Sequence, residues 1–330
     1  MPNLSDVAQA TGVSTSTVSR ALRMDSRISN ETIQRIHDAA NALGYVRRAQ
    51  KETLRPQEWG CVGLIVPEVM SGYYARLAHI AVSFFAKQYY SVTIRLTNFE
   101  QDTVFRHVKE LCFSNVDCLL IVVDDSEEMS EDIFSTVSKT GKPAFFITAK
   151  YMFHNDFDSL FIDEQRGIAM LLEYFADKGY KHIGFVGEQQ TLGRRDAYVS
   201  AMARLHLPIQ EEFVKISPFR AEVGGYHSMR EILAAKTRPD AVFLSYDQMA
   251  IGAIKAIKEA GLSMPDEIAV AGFDDIIVSE YITGGLTTVQ SPCEDMIAIA
   301  SRVLLNRVND PHAAPQQIAL KPKLIVRGTA

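Results

Sequence analysis

Three short stretches near the start of the chain place apolar residues at helical spacing. Their apolar positions are, in order, Val7 and Ala8, then Val18, Ala21 and Leu22, then Ile33, Ile36, Ala40 and Leu43. Residues three and four apart lie on one face of a helix, so each stretch predicts a short amphipathic helix. Asn3 and Ser29 can cap the first and third of these helices, and Gly44 can end the third. The pattern predicts a small three-helix bundle with a modest core.

The first two helices are predicted to meet at a tight corner. Gly12 can adopt the left-handed conformation that ends a helix, and Ser14 can cap the next helix by accepting a backbone N–H. The outer face of the second helix is polar and consists of Thr15, Ser16, Thr17, Ser19 and Arg20. This arrangement is typical of a helix-turn-helix whose second helix lies in a DNA major groove. A small amphipathic helix without a DNA role is the simpler alternative.

From Trp59 onward, short apolar runs alternate with helical patterns. The runs predicted as strands are 62–66, 91–96, 118–123 and 144–147, followed by a second series at 159–162, 183–186, 241–244 and 268–271. Repeated β-α units of this length predict parallel sheets covered by helices. The expected fold is therefore a small all-α helix-turn-helix headpiece followed by an α/β core of two doubly wound parallel-sheet subdomains.

Composition and charge limit the classes of protein to consider. The chain has 330 residues, 47% of them hydrophobic, which indicates a folded chain with room for several domains. No apolar run approaches the roughly 18 residues that span a bilayer, and the start lacks a secretion pattern, so we expect a cytoplasmic protein without a membrane partner. The net charge of −6 divides into +3 for residues 1–55 and −9 for the remainder. A basic end on an acidic body suits contact with phosphates, although solvated charges clustered by chance would give the same numbers.

The sequence shows no pattern of catalytic or metal-binding residues. The four cysteines, Cys61, Cys112, Cys118 and Cys293, lack metal-ligand spacing and are predicted to be buried thiols in a reducing compartment. The acidic run 124–128 follows a strand and is interpreted as a solvated loop. Phosphate-loop, dinucleotide, H-E-x-x-H and G-x-S-x-G motifs are missing. We therefore expect no catalytic residue, no metal and no cofactor, and an enzyme is the least supported class.

Motifs in the first 45 residues resemble one family. They are Leu4-Ser5-Asp6-Val7-Ala8, Gly12-Val13-Ser14, Thr17-Val18-Ser19-Arg20, Ser29-x-x-Thr32 and Leu43-Gly44-Tyr45. In order and spacing they are similar to the headpiece of the lactose/galactose repressor (LacI/GalR) family. The resemblance implies that Thr15, Ser16 and Arg20 read bases, and that Ser14, Thr17 and Ser19 approach phosphates or the groove edge. By its chemistry, Arg20 can contact guanine with two hydrogen bonds, worth about 1–3 kcal/mol of discrimination.

The segment after the headpiece departs from the family pattern. Between Tyr45 and Pro56 the family places a hinge helix whose leucine wedges into the minor groove, and the resemblance assigns that role to Leu54. Arg47-Arg48 and Lys51-Glu52 replace the family's Pro-Asn and Ala-Arg, so that Glu52 is an acid where a basic contact is usual. A charged linker that makes no such contact is the alternative.

The resemblance extends over the rest of the chain. The ending Leu320-x-Pro322-x-Leu324-x-x-Arg327-Gly328-Thr329 is similar to the family's terminal motif, and the family's core is periplasmic-binding-protein-like. The resemblance implies that the chain crosses back to the first subdomain near residues 286–292. The domain limits expected are 1–46 for the headpiece, 47–58 for the linker, 59–157 plus 288–319 for the first subdomain, and 158–287 plus 320–330 for the second.

Residues that follow strands are candidate ligand contacts, because open α/β sheets bind ligands beyond the carboxyl ends of their strands. The candidates are Tyr73, Tyr74, Asp163, Arg194, Arg220, Asp247 and Asp274. Tyrosine rings can stack on the apolar face of a pyranose, and charged side chains can hold several hydroxyls at once. The resemblance implies effector contacts for Arg194, which lies in a segment similar to the family's Arg-x-x-Gly-Phe, and for Asp274. Asp247 stands in the family's Asn-Asp segment, where Tyr246 replaces the asparagine and is expected to lie in or beside the pocket.

Each candidate also has a purely structural alternative. The tyrosines can pack in the core, Asp274 can cap the following turn, and Asp247 can cap a helix that begins at Met249. Arg220 can point to solvent or pair with Glu222. If it instead faces the pocket with Arg194 and Arg195, the positive charge favours a sugar phosphate or sugar acid over a neutral sugar.

Together these features predict an effector-responsive transcriptional regulator of the repressor type. A homodimer would bind a palindromic double-stranded operator, since two-fold protein symmetry mirrors operator symmetry. A sugar, with galactose or a galactoside as the first candidate, would bind between the two subdomains. The alternatives are a regulator that senses a sugar phosphate or sugar acid, and a sugar-binding receptor without a DNA role.

Overall fold

A computed structural model describes residues 4–21, 28–43, 59–124, 130–152, 154, 156–282 and 284–330. The chain divides into two compact units, Met1–Trp59 and Gly60–Ala330. The described part of the first unit contains three helices, α1 (Leu4–Thr11), α2 (Thr15–Ala21) and α3 (Asn30–Ala42). Their shared core is small: its buried members are Val7, Ala8, Val18, Ala21, Ile33, Ile36 and Ala40. The predicted three-helix bundle is therefore confirmed.

The corner between α1 and α2 has the predicted geometry. Gly12 is left-handed, with a φ of +68°, and the backbone N–H of Thr17 donates to Ser14 Oγ at 3.2 Å. Ser29 caps α3 in the same way, because its Oγ accepts from the Thr32 N–H at 3.3 Å. The placement of Leu43 in the core is wrong: it follows the last residue of α3 and is 41% exposed. Asn3, Leu22 and Gly44 lie outside the described residues.

The second unit contains two six-stranded sheets. The first sheet has the order β11-β5-β4-β3-β1-β2, and all its strands are parallel. Its strands are β1 (Gly60–Val66), β2 (Tyr90–Leu96), β3 (Cys118–Val122), β4 (Ala144–Thr148), β5 (Asp158–Ile162) and β11 (Gln317–Leu320). The central strands β1, β3 and β4 are almost continuously apolar and buried, as both faces of a helix-covered parallel sheet require.

The second sheet has the order β12-β10-β9-β8-β6-β7. Its strands are β6 (Ile183–Glu188), β7 (Val214–Ser217), β8 (Ala241–Leu244), β9 (Ala269–Asp274), β10 (Thr287–Gln290) and β12 (Lys323–Ile325). Only the edge pair β10 and β12 is antiparallel; the other pairs in this sheet are parallel. The two sheets confirm the predicted doubly wound core with two subdomains.

Helices cover both faces of each sheet. In chain order they are α4 (Gly72–Lys87), α5 (Gln101–Cys112), α6 (Glu131–Thr140), α7 (Glu164–Asp177), α8 (Leu192–Arg204), α9 (Ala221–Leu233), α10 (Asp247–Glu259) and α11 (Cys293–Asn309). On the first sheet, α4 and α11 share one core and α5 and α6 the other. On the second sheet, α7 and α8 lie on one face and α9 and α10 on the other. Each subdomain is thus a three-layer sandwich whose apolar residues are divided between two cores.

The described helices and strands correct the predicted limits of the subdomains. Strand β5 pairs with β4 and β11, so residues 158–162 belong to the first sheet and not to the second. Strand β10 pairs with β9, so residues 287–290 belong to the second sheet. The chain therefore changes subdomain after Ile162, after Gln290 and after Leu320. The apolar pattern identified these strands, but it does not say which sheet edge a strand joins.

Cysteine environments agree with the prediction of free thiols. Cys112, Cys118 and Cys293 are buried, Cys61 is partly buried, and all four are free. None of the helices in the part of the chain described above has the length and apolar character that a membrane-spanning helix needs.

Candidate functional site

The polar face of α2 is open to solvent in the first unit. Thr15, Ser16 and Arg20 are exposed, and Thr17 and Ser19 are partly buried. The Ser14 hydroxyl lies 2.8 Å from that of Ser16 and 2.9 Å from that of Thr17, so the hydroxyl that caps α2 also contacts two hydroxyls of its polar face. The structure therefore presents the predicted DNA-contacting residues of α2 on one accessible surface. Leu54 and the linker 47–58 lie outside the described residues, so their role stays a prediction.

A cleft between the two subdomains encloses about 830 Å³, including its open mouth. Of the seven predicted effector-contacting residues, six line the cleft: Tyr73, Tyr74, Arg194, Arg220, Asp247 and Asp274. They come from both subdomains, at the carboxyl ends of the two sheets. The geometry is that of a ligand site between two doubly wound halves.

Asp163 is the exception, and its assignment to the cleft is wrong. Its carboxylate accepts a hydrogen bond from the Arg166 N–H at 3.0 Å and caps α7, so the side chain serves the helix. The next residue, Glu164, lines the cleft instead. The sequence placed an acid correctly just after β5 but one position too early.

Arg194 is the most fully engaged cation of the cleft. Its guanidinium donates to Glu164 Oε1 from Nη2 at 2.6 Å and from Nε at 3.1 Å. It also donates to the Ser245 carbonyl oxygen at 2.6 Å and to Asp274 Oδ1 at 3.4 Å, and it stacks over the Phe273 ring at 4.0 Å. The two neighbouring carboxylates stabilise its charge, and the pKa of Arg194 stays raised despite burial, which acts to lower it. Arg194 therefore joins α8 to the ends of β8 and β9.

Asp274 ends β9 in an unusual backbone conformation. Its φ is 102° and that of Asp275 is 52°, a left-handed pair that places consecutive carboxylates in different environments. Asp274 Oδ1 accepts from Ser291 Oγ at 3.1 Å, whereas Asp275 accepts from Arg327 and Gln290 at 2.8 Å each. Burial raises the pKa of Asp274, and the Arg194 charge opposes that shift. The hydrogen bonds of both carboxylates in the described structure go to side chains, so neither caps the following turn.

Asp247 lines the cleft, but its oxygens are occupied by the protein. Oδ2 accepts from the Ile276 N–H at 3.0 Å and from Ser279 Oγ at 2.6 Å, and Oδ1 accepts from Thr288 Oγ1 at 2.5 Å. Burial raises the pKa of Asp247 to about 8. The expected cap of a helix starting at Met249 is wrong, since α10 begins at Asp247 itself and its carboxylate fastens the turn after β9.

Arg220 neither points to solvent nor pairs with Glu222. Its Nη1 lies 2.8 Å from Glu188 Oε1, and its Nη2 donates to Glu68 Oε1 at 2.9 Å. The guanidinium also stacks over the Phe99 ring at 4.0 Å from the centroid. Glu68 and Phe99 belong to the first subdomain and Glu188 to the second. Arg220 therefore spans the cleft, with its charge matched by carboxylates on both sides.

Both cleft tyrosines line the predicted ligand site and also pack in the core, which was the structural alternative. Tyr73 and Tyr74 are partly buried, pack against the apolar core under α4, and line the cleft. Their rings meet edge to face with centroids 5.0 Å apart. Burial raises the pKa of Tyr73 well above its usual value, so the hydroxyl remains protonated and can donate or accept.

Further contacts join the two subdomains beside the cleft. The Gly72 N–H donates to Gln248 Oε1 at 3.0 Å, and Arg76 Nη1 donates to the Asp275 carbonyl oxygen at 3.1 Å. Arg76 also binds Glu294 with two nitrogens at 2.7–3.1 Å, which fixes its orientation on α4. These polar contacts depend on the relative angle of the subdomains, so a change in that angle would break or reform them.

Phe99, Glu164 and Glu188 also line the cleft, and no sequence prediction named them. Glu188 is the last residue of β6, so the rule that ligands bind at carboxyl ends of strands could have found it. Tyr246, which is predicted to lie in or beside the pocket, lines the cleft, and its hydroxyl accepts from the Ala221 N–H at 2.7 Å. No sequence signal marks Phe99, because its role comes from the stacking of Arg220 on its ring across the cleft.

A three-helix head with a polar face on its second helix, followed by a two-subdomain core with a cleft, defines a class of DNA-binding transcriptional regulators with a periplasmic-binding-protein-like core. The domain models agree with this class. The model of bacterial regulatory proteins of the lacI family matches residues 3–48, and that of a periplasmic binding protein-like domain matches residues 172–330. The chain therefore carries a LacI-family DNA-binding domain followed by a periplasmic binding protein-like domain.

Individual relatives cover the whole chain. The ribose operon repressor of Escherichia coli (strain K12) is 28% identical over 340 residues, which include 100% of each chain. A LacI-family transcriptional regulator from Silicibacter pomeroyi superposes with a TM-score of 0.77 at 21% identity, over 100% of this chain and 99% of that one. The transcriptional regulator CelR in its cellobiose complex gives 0.71 at 23% identity, over 100% of both. These structural likenesses show the shared fold.

Proposed function

We propose that the chain is a cytoplasmic transcriptional repressor that binds a near-palindromic operator as a homodimer and releases or tightens it when a sugar fills the cleft. The observation that carries this proposal is the origin of the cleft residues. Tyr73 and Tyr74 come from the first subdomain, and Arg194 and Asp274 come from the second. A ligand held by both has a different affinity for each interdomain angle, and only such a difference can shift a conformational equilibrium.

DNA recognition is assigned to the exposed face of α2. Arg20 would make the base contact of highest discrimination, and Thr15 and Ser16 would add weaker ones. Ser14, Thr17 and Ser19 would position the helix through phosphates, which carry affinity without sequence information. The proposed headpiece is residues 1–46, and Leu54 in the linker 47–58 would wedge into the minor groove.

The effector proposed is a small polyhydroxylated ring, with galactose or a galactoside as the first compound to test. The relatives support a sugar: one is named a ribose operon repressor, and one is a cellobiose complex. The cleft supports it too, since tyrosine rings and paired charged groups suit the apolar face and the hydroxyls of a pyranose. A sugar phosphate or sugar acid is less well supported, because Arg194 and Arg220 are each already matched by two carboxylates.

The homodimer follows from the proposed operator, since two-fold protein symmetry mirrors a near-palindromic site. Large apolar side chains are exposed in both subdomains: Met70 is 85% and Tyr89 66% exposed in the first, while Ile277 is 72% and Tyr281 76% exposed in the second. A two-fold dimer would cover the same residues on both copies.

The test begins with selection of preferred duplexes from a random pool, followed by fluorescence anisotropy with and without sugars. We expect the full chain to enrich a near-palindromic sequence and a binding sugar to change its affinity for that duplex. Arg20→Ala should lower discrimination against a mutated half-site by about 5- to 100-fold. Arg35→Ala is the matched control, because Arg35 is an exposed arginine on α3 and is not one of the predicted DNA contacts. It should weaken all duplexes alike. Enrichment of no sequence would refute the proposal.

A further inference from the structure

Glu188 is a buried acid in the cleft that the proposed function does not use. It ends β6, is 2% exposed and lines the cleft. Its carboxylate caps the turn at Thr191 and pairs through Oε1 with Arg220. The second oxygen, Oε2, is buried and has no hydrogen-bond partner among the described residues, and Arg220 Nη1, although 2.8 Å from Oε1, also lies outside hydrogen-bond geometry. A buried acceptor that lacks a donor is costly, so a ligand that supplies one gains the difference.

The charged side chains that line the cleft indicate which charge a bound ligand would carry. Among the described residues, the cations lining it are Arg194 and Arg220, and the lining acids are Asp124, Glu164, Glu188, Asp247 and Asp274. Arg194 faces Glu164 and Asp274, whereas Arg220 faces Glu188 and, at the rim, Glu68. Each arginine is thus outnumbered two to one. Even with Asp247 largely protonated, as its pKa of about 8 implies at neutral pH, the cleft carries excess negative charge.

Local electrostatics at Glu188 point the same way. Burial raises the pKa of Glu188, and the neighbouring acids Glu68 and Asp124 add to that rise, while Arg220 and the Tyr246 hydroxyl oppose it. A positively charged donor would relieve both the burial and the repulsion, and a hydroxyl would relieve only the missing hydrogen bond. An anion beside Glu188 would add repulsion in a site with little solvent to screen it.

We propose that Glu188 selects an effector with a protonated amine, so that the ligand is an amino sugar. The inference rests on the proposed function, since it names the class of sugar that the same cleft accepts. It assigns Glu188 as a specificity-determining residue. The amine would donate to Glu188, and the ring would lie between the tyrosines and the Arg194 network.

Calorimetric titration of the full chain tests this with sugars that differ by one group. The series is galactosamine, galactose, galacturonate and galactose 6-phosphate, with the corresponding glucose and mannose series beside it. At a pH well below the pKa of the sugar amine, we expect one amino sugar to bind about 10-fold more tightly than its parent hexose, as a charge-assisted hydrogen bond outweighs a neutral one. The acid and phosphate forms should bind more weakly than the parent.

Two variants locate the preference. Glu188→Gln keeps the shape of the side chain and removes its charge, so the advantage of the amine over the hydroxyl should fall to within about 2-fold. Glu68→Gln is the matched control: it also removes a carboxylate partner of Arg220, but Glu68 does not line the cleft. It should keep the preference.

The possible outcomes separate the inference from the proposed function. Tighter binding of a parent hexose, an acid or a phosphate by the unmodified chain overturns the amino-sugar assignment and leaves a sugar-responsive regulator in place. A preference that survives Glu188→Gln overturns the role of Glu188. Binding of no sugar in any series overturns both. The comparison among ligands of the unmodified chain remains decisive even if a variant does not fold.

Discussion

Replacing Arg194 with methionine should lower the free energy of unfolding by about 3–5 kcal/mol, the usual cost of removing one partner from a buried ion pair. Methionine keeps much of the length and apolar contact of the side chain, so the change chiefly removes the charge and its hydrogen bonds. The carboxylates of Glu164 and Asp274 would be left in place, and their side chains are only 17% and 7% exposed. Neither could be solvated well enough to remain ionised without cost.

The magnitude follows from what the guanidinium contacts. It makes two hydrogen bonds to Glu164, one to the Ser245 carbonyl oxygen and a longer one to Asp274, and it stacks on Phe273. Hydrogen bonds to charged groups contribute about 1.5–3 kcal/mol each, but most of the gain offsets the desolvation of the ions. The loss therefore reflects the carboxylates left unpaired more than the contacts removed. Adding Glu164→Gln to Arg194→Met should consequently recover part of the stability.

Urea unfolding followed by circular dichroism measures the effect, and Arg195→Met is the matched control. Arg195 is the next residue on α8, but its side chain is 44% exposed and its partner Asp196 is 68% exposed. Exposed pairs contribute about 0–1 kcal/mol, so this variant should unfold nearly as the unmodified chain does. Equal losses for the two variants would refute the argument that burial makes Arg194 important. Arg194→Met should also lose the rise in melting temperature that a binding sugar causes, whereas Arg195→Met should retain it.

Two further predictions concern the second subdomain. Because burial raises the pKa of Asp247 to about 8, the folded chain holds a proton that the unfolded chain releases above about pH 4, so stability from this group falls as pH rises between these values. Urea unfolding should therefore show that the free energy of unfolding of the unmodified chain falls by on the order of 3 kcal/mol relative to that of Asp247→Asn between about pH 5 and 8. Ser279→Ala, which keeps the acid, should show the same dependence on pH as the unmodified chain. Parallel profiles for Asp247→Asn and the unmodified chain would contradict this prediction. Gly225→Ala should destabilise by about 1–3 kcal/mol or more in the same assay, because the added methyl would overlap the Met249 carbonyl oxygen where α9 and α10 meet. An increase in stability of Gly225→Ala would contradict this prediction, since it would mean that α9 and α10 can separate enough to accept the methyl group.

Local pattern predicted the headpiece well because its determinants are close in sequence. The turn at Gly12, the caps at Ser14 and Ser29 and the apolar faces all act within four residues. Leu43 was misplaced because helical spacing continued past the point where α3 ends. The strands of the core were found for the same local reason, since long apolar runs mark buried parallel strands.

Features set by distant contacts were not predictable from the pattern. The edge strand β7 is four residues long and includes Lys215, so its apolar run is too short to recognise. Strand β5 lies between β4 and β11 in the first sheet, and its own apolar pattern does not say which sheet it joins. Arg220 was recognised as a cleft cation, but its neutralisation by Glu68 joins residues 152 apart in sequence. The candidate site was thus predicted residue by residue, whereas its charge balance needed the three-dimensional structure.

The central claim is that the cleft and the α2 face are thermodynamically linked. The most direct test is calorimetric titration of the binding sugar into the full chain alone and into the same chain saturated with its selected duplex. Because coupling is reciprocal, the sugar's affinity must differ between the two by the same factor by which the sugar changes the affinity for the duplex. The account predicts a difference of about 5- to 150-fold, in the range of typical couplings. Equal sugar affinities in the free and duplex-bound chain would contradict it.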